Sequence, residues 1–144
     1  MRCEFQDFTD STGEVFTRPI LFVALARAPQ AKIACVVDTG SNGIRLRSEF
    51  GRRAGFGSQM DGTQQKRIAV GGRVTYGRTI QADLIVSASV EGTETYELPD
   101  MPVTFCEPWT MNTGLAGFPF LQRFHVVVRA RHREFDIIPE DVDA

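Results

Sequence analysis

Long apolar runs are missing from this 144-residue chain, and with them any stretch of the roughly 20 residues that a membrane-crossing helix needs. The first ten residues carry Glu4, Asp7 and Asp10 and no apolar core of signal-peptide length. Cysteine is scarce. Cys3, Cys35 and Cys106 are too few and too far apart for a disulfide framework, and they lack the paired spacing of a zinc site. Reduced thiols in a cytoplasmic protein are therefore the expectation. An excess of one charge is missing as well: the formal net charge is −2, so no chain-wide field recruits nucleic acid or an anionic membrane, and neither is expected as a partner. The two histidines, His125 and His132, stand apart from any Ser or Cys motif, which leaves Ser–His or Cys–His nucleophilic catalysis without support.

The chain has room for one domain spanning 1–144 with one core, and its apolar residues are patterned as strands. Residues Pro19–Ala26 and Ala31–Val37 read as an antiparallel hairpin, and Ile44–Arg47 alternates as a strand with one wet face. Ser48 is expected to cap a surface helix running to Phe56, with Phe50 and Ala54 as core contacts, followed by a polar loop from Gly57 to Gln65. Arg67–Gly77 forms a second hairpin around Gly71-Gly72. Thr79–Val90 and Glu97–Phe105 supply further strands, and Glu107–Thr113 is irregular, with Trp109 as a packing residue. Near the end come a Gly turn, a short helix with Pro119 in its first turn and Phe120, Leu121 and Phe124 on its apolar face, and a final hairpin from Val126–Val128 to Phe135–Ile138 about a solvated basic turn, Arg129–Arg133. Residues 1–18 contain turn chemistry at Asp10-Ser11-Thr12-Gly13 and read as a loop, a hairpin, an N-terminal extension or an edge strand. The fold class is all-β with one or two short helices.

Ala34-Cys35-Val36-Val37-Asp38-Thr39-Gly40-Ser41 stands out, because an apolar strand here delivers a carboxylate into a turn. Asp is among the residues least often buried unless something pairs with it. A strand ending in a simple Asx-turn would look the same, as a structural β domain requires. The Thr and Gly that follow permit a tight turn and close backbone approach.

Two apolar residues followed by Asp38-Thr39-Gly40-Ser41 resemble the active-site loop of retroviral-type (retropepsin-like) aspartic proteases, and Leu115-Ala116-Gly117 with Phe120-Leu121 and Phe124 resembles the second element of that signature. The likeness spans roughly Ile20 to Ile138. Ala116 is smaller than is usual there, and Pro119 stands where a polar residue is common. The resemblance implies a closed β-barrel of the acid-protease fold, active as a symmetric homodimer on a peptide or protein substrate. It gives Asp38, Thr39, Gly40 and Ser41 to the catalytic loop, with Thr39 bonding across the twofold axis and Ser41 bonding the carboxylate. It gives Val70, Gly71, Gly72 and Arg73 to a flap over the substrate, and Leu115, Ala116 and Gly117 to the support of the loop.

The chemistry so implied uses two carboxylates sharing one proton, without metal or cofactor. Yet none of Asp7, Asp61, Asp83, Asp100, Asp136, Asp141 or Asp143 begins a second Asp-Thr/Ser-Gly. Only a twofold dimer would supply Asp38 twice. The alternative is a catalytically inactive dimer of the same kind that binds extended peptides.

Overall fold

The apolar run expected to start at Pro19 begins earlier and is longer than its composition suggests. In the computed structural model, which describes residues 1–140, β1 (Arg2–Thr9) and β2 (Val15–Leu25) form a hairpin. Its turn is closed by Asp10, whose Oδ1 accepts from the Thr12 amide at 2.8 Å, the Thr12 hydroxyl at 2.6 Å and the Glu14 amide at 3.1 Å. The Asp10-Ser11-Thr12-Gly13 turn is thus where the sequence put it. Residues 2–9 are neither an extension nor an edge, since β1 also pairs with β10 (Glu134–Pro139). Asp141 and Asp143 lie outside the described residues.

β2 turns back into β3 (Ile33–Val37) with Ile20 opposite Val36 and Val23 opposite Ile33, the hairpin anticipated from sequence. β4 (Ile44–Arg47) follows, then α1 (Ser48–Arg53) and α2 (Gly57–Asp61). α1 is shorter than expected, and α2 occupies what was read as a polar loop. The missed signal is Phe56 followed by Met60, both buried, with the Phe56 ring stacked 6.4 Å from Phe105. A four-residue spacing puts them on one helical face, but the polar residues between mask it. Ser48 is not a cap: it is the first helical residue, and its hydroxyl donates to Glu107 Oε2 at 3.0 Å.

β5 (Lys66–Val70) and β6 (Arg73–Ser87) form the second hairpin, β7 (Thr95–Glu107) returns along β6, and β8 is the short strand Gly114–Ala116. Phe120–Arg123 is a 3₁₀ turn, not an α-helix, with Pro119 just ahead of it; β9 (Phe124–Arg129), a second 3₁₀ turn (Ala130–His132) and β10 complete the chain. Among the described residues the ten strands join in the order β5-β6-β7-β4-β8-β3-β2-β1-β10-β9. β6 also pairs with β2, Leu25 opposite Leu84. The ladder β2-β3-β8-β4-β7-β6 therefore returns to its start, and its inward side chains, among them Leu21, Val23, Ile44, Leu46, Val103 and Phe105, make the buried core. A strand paired on both sides and covered on both faces reads as a continuous apolar run, which is why β2 was legible.

The basic turn between β9 and β10 is exposed from Ala130 to Arg133, as expected, but it is anchored at both ends. Arg133 Nη2 donates to Asp7 Oδ1 at 2.7 Å, tying the turn to β1, and Arg129 pairs with Asp136. The Arg133 and Thr17 hydrogen bonds hold the Asp7 carboxyl below its ordinary 3.8, and the Arg129 hydrogen bond does the same for Asp136. A depressed folded-state pKa contributes stability above the unfolded value that is lost as pH falls through the folded one. Thermal stability is expected to fall as pH drops from about 5 to 3, with a shallower slope in Asp7→Asn; an identical slope would remove Asp7 from that account.

Candidate active site

β3 carries the chain to Asp38 while locked between two neighbours. It pairs with β2 on one side and runs parallel to β8 on the other, Cys35 opposite Gly114 and Val37 opposite Ala116. The ladder continues one step into the loop, because the Asp38 amide donates to the Ala116 carbonyl at 3.0 Å. There the chain turns: the Ser41 amide donates to the Asp38 carbonyl at 3.2 Å, and the Gly40 amide donates to Asp38 Oδ1 at 2.9 Å. Asp38 is half-buried, and Thr39 and Gly40 are exposed. The carboxylate is thus held by a backbone amide, which fixes its direction.

Ser41 departs from expectation. Its hydroxyl donates to the Gly43 carbonyl at 3.0 Å and not to the Asp38 carboxylate. Ser41 is buried, and its side chain braces the turn from within.

The element Leu115-Ala116-Gly117 lies directly against this loop. The Gly117 amide donates to the Gly43 carbonyl at 3.2 Å, and the Phe118 amide donates to the Ser41 carbonyl at 3.1 Å. A Cβ on Gly117 would sit 2.2 Å from the Ser41 carbonyl oxygen. Only glycine lets the two backbones come this close. Leu115 and Ala116 are buried beside them.

The second hairpin has Val70 opposite Arg73, with Gly71 at φ 57° and Gly72 at φ 76°. Two consecutive left-handed residues make the two-residue turn that suits the twist of paired strands. The tip residues Gly71, Gly72 and Arg73 are exposed and Val70 is half-buried. Behind the tip, the Thr75 hydroxyl donates to the Pro108 carbonyl at 2.5 Å.

Two cavities meet here. One of about 660 Å³ is lined by Val36, Val37, Asp38 and Leu115 together with Thr110 and Met111. A second, of about 340 Å³, lies between Val70, Gly71 and Arg73 of the hairpin and the same Thr110 and Met111. Of the residues singled out from sequence, Asp38, Leu115, Val70, Gly71 and Arg73 line these spaces, whereas Thr39, Gly40, Ser41, Gly72, Ala116 and Gly117 line neither. The stretch from Pro108 to Thr113, expected only to be irregular, walls these spaces, with Thr110 and Met111 common to both. The Trp109 indole donates to the Thr113 carbonyl at 2.9 Å and shapes that wall from within. The only hint in the sequence was its place immediately before Gly114-Leu115-Ala116.

Other chemistry is poorly provided for. Burial pushes the Cys35 thiol up to about 12 and the Cys106 thiol up to about 11, so neither is a thiolate near neutrality. Asp10 lines the larger cavity, but its Oδ1 is committed to the turn donors described above. Among the described residues, no three His, Cys, Asp or Glu side chains cluster as metal ligands would.

With this geometry in view, the chain is similar to the crystal structure of a retropepsin-like aspartic protease from Rickettsia conorii, with a TM-score of 0.58 and 16% identity over 95% of this chain and 92% of that one. The fold is therefore shared with that protease. No protein-family model matches the sequence, and no curated protein matches it.

Proposed function

We propose that this chain is an aspartic endopeptidase that works as a twofold homodimer, with the ring of strands forming a closed acid-protease barrel in each copy. The observation that carries the reading is Asp38 itself: a half-buried carboxylate, aimed by the Gly40 amide and braced by the Gly117 segment, opening into the larger cavity near a glycine-tipped hairpin. A single chain brings one such carboxylate to the site. A second copy across a twofold axis supplies the other.

Two carboxylates about 3 Å apart share one proton and titrate as a unit. The ionised Asp38 takes a proton from a bound water, whose oxygen attacks the scissile carbonyl carbon, while the protonated Asp38 of the other copy gives its proton to the carbonyl oxygen. The tetrahedral diol then collapses. Its C–N bond breaks, the amide nitrogen leaves with a proton from the dyad, and the water oxygen stays in the new carboxyl group. Asp38 needs no metal or cofactor for these steps. In this reading Thr39 and Gly40, both exposed, meet the second copy, and the Val70–Arg73 tip offers backbone groups to an extended substrate.

A peptide library incubated with the protein at mildly acid pH is expected to be cut internally. A statine peptide, which mimics the tetrahedral diol, should stop the cutting. Intact peptides across pH 3 to 7 would leave the inactive peptide-binding dimer as the better reading.

A further inference from the structure

The half-buried arginines of this chain are partnered, with one exception. Arg47 donates to the Met111 carbonyl at 3.1 Å, Arg78 donates to the Thr63 carbonyl at 2.6 Å, and Arg129 pairs with Asp136. Arg45 is half-buried too and, among the described residues, makes no ion pair and no side-chain hydrogen bond. Drawing a guanidinium partly out of water without a partner costs free energy that an incoming anion restores.

The register of the sheet says where that anion comes from. β4 alternates, with Ile44 and Leu46 fully buried in the core and Arg45 on the opposite face. Residues directly opposite each other on paired strands share a face. Arg45 lies opposite Leu115 of β8 and opposite Thr104 of β7; Leu115 in turn lies opposite Val36 of β3, and Thr104 lies opposite Thr79 of β6. Val36, Leu115, Arg45, Thr104 and Thr79 therefore form one row across five strands. The first two line the larger cavity together with Asp38. Arg45 is next in the row, one strand spacing of about 4.8 Å beyond Leu115.

The far end of the row offers Arg45 no charge. The Thr79 and Thr104 hydroxyls bond each other at 2.8 Å. Ile68 of the second hairpin meets Thr104 across Gly77, where an added Cβ would sit 2.6 Å from Ile68 Cδ1 and 2.5 Å from Thr104 Cγ2. The Cys106 thiol, two residues on from Thr104, is neutral. Arg45 thus lies between the cavity that holds Asp38 and the base of the glycine-tipped hairpin, with uncharged neighbours on β7 and β8.

Resting on the dyad reading above, we propose that Arg45 selects substrates carrying an acidic side chain close to the bond that is cut. From β3, which delivers Asp38, to β4 is two strand spacings, about 10 Å, a distance that about three residues of extended peptide cover. The acidic residue therefore falls within about three positions of the cut bond. A twofold pair presents Arg45 twice, so the preference holds on both sides of that bond. The guanidinium donates to the side-chain carboxylate, and a neutral side chain of the same shape, Asn for Asp, leaves it unmatched.

The test is a positional scan. Octapeptides of alanine, valine and leucine carry a single Asp, or the matching Asn, at each position in turn, and cleavage is followed by mass spectrometry at mildly acid pH, where an Asp of ordinary pKa about 3.9 is ionised. For the unaltered protein, kcat/KM is expected to be at least ~10-fold higher with Asp than with Asn at one position within three residues of the cut on each side. That preference should vanish in Arg45→Leu, persist in part in Arg45→Lys, and give way in Arg45→Glu to a preference for Lys over Gln, with circular dichroism confirming that each variant is folded. Arg45→Lys keeps the charge and most of the apolar stem, so it carries the comparison if the other variants do not fold. Equal rates on the Asp and Asn peptides at every position overturn the proposal and leave the dyad reading in place, and so does an acidic preference that survives in Arg45→Leu. If no peptide is cut, the dyad reading falls, and the same peptide pairs decide the role of Arg45 by fluorescence anisotropy. Tighter binding of the Asp peptides to the unaltered protein, lost in Arg45→Leu, upholds Arg45 as the contact for an acidic residue; equal binding overturns it.

Discussion

Asp38→Asn is expected to lower peptide cleavage by roughly 10³-fold or more while leaving the dimer and its stability in place. The substitution is gentle structurally, because the asparagine carbonyl can accept the Gly40 amide just as Oδ1 does at 2.9 Å. What it removes is the shared proton. An amide cannot act as the base, and two amides across the axis can neither take the proton of the water nor return one to the leaving nitrogen. The dimer adds a sharper signature. When the variant is mixed in excess with unaltered protein and subunits exchange, most unaltered chains fall into mixed pairs with one carboxylate each. Activity per unaltered chain should therefore collapse. An enzyme complete in one chain would keep it, and such a result would refute the shared dyad even if Asp38 proved essential.

Gly117→Ala is the second large effect, and it acts through backbone. The new Cβ would stand 2.2 Å from the Ser41 carbonyl oxygen and 2.7 Å from Ser41 Cβ. No side-chain rotation relieves a clash with the main chain, so the Asp38 loop and the Gly117 segment must separate, which breaks the Phe118 amide bond to Ser41. Overpacking of this kind costs about 3 kcal/mol, or a melting temperature lower by roughly 10 °C in a domain of this size. Cleavage should fall as well, because the Asp38 loop loses its brace. Gly71→Asn is the control: nothing lies within 4 Å of its would-be Cβ, and asparagine tolerates the left-handed backbone of that turn. An unmoved melting temperature in Gly117→Ala would show that the two loops are not packed as described.

The parts of this fold that could be read from residues alone are those in which the signal is local. The Val36-Val37-Asp38 strand end, the Gly71-Gly72 turn and Leu115-Ala116-Gly117 each declare themselves within a few residues, through apolar spacing or through glycine where the backbone demands it. The failures are long-range. That β1 pairs with β10 depends on residues at opposite ends of the chain meeting, as Cys3 does opposite Phe135. Residues 108–113 wall the site only because β7 and β8 deliver them there, and their composition looks like any irregular connection. Ser41 shows a subtler limit. Its hydroxyl bonds the Gly43 carbonyl and not the carboxylate, a choice set by the curl of the turn, which no pattern of residue types encodes. α2 failed for the opposite reason: its two anchors, Phe56 and Met60, were present but outnumbered by polar neighbours.

The central claim is that one site is built from two chains, and the most direct measurement is the stoichiometry of a statine peptide bound to the protein. Isothermal titration calorimetry at mildly acid pH is expected to saturate at one peptide for every two chains, with binding lost in Asp38→Asn. Saturation at one peptide per chain, or binding unaffected by that substitution, would contradict the account.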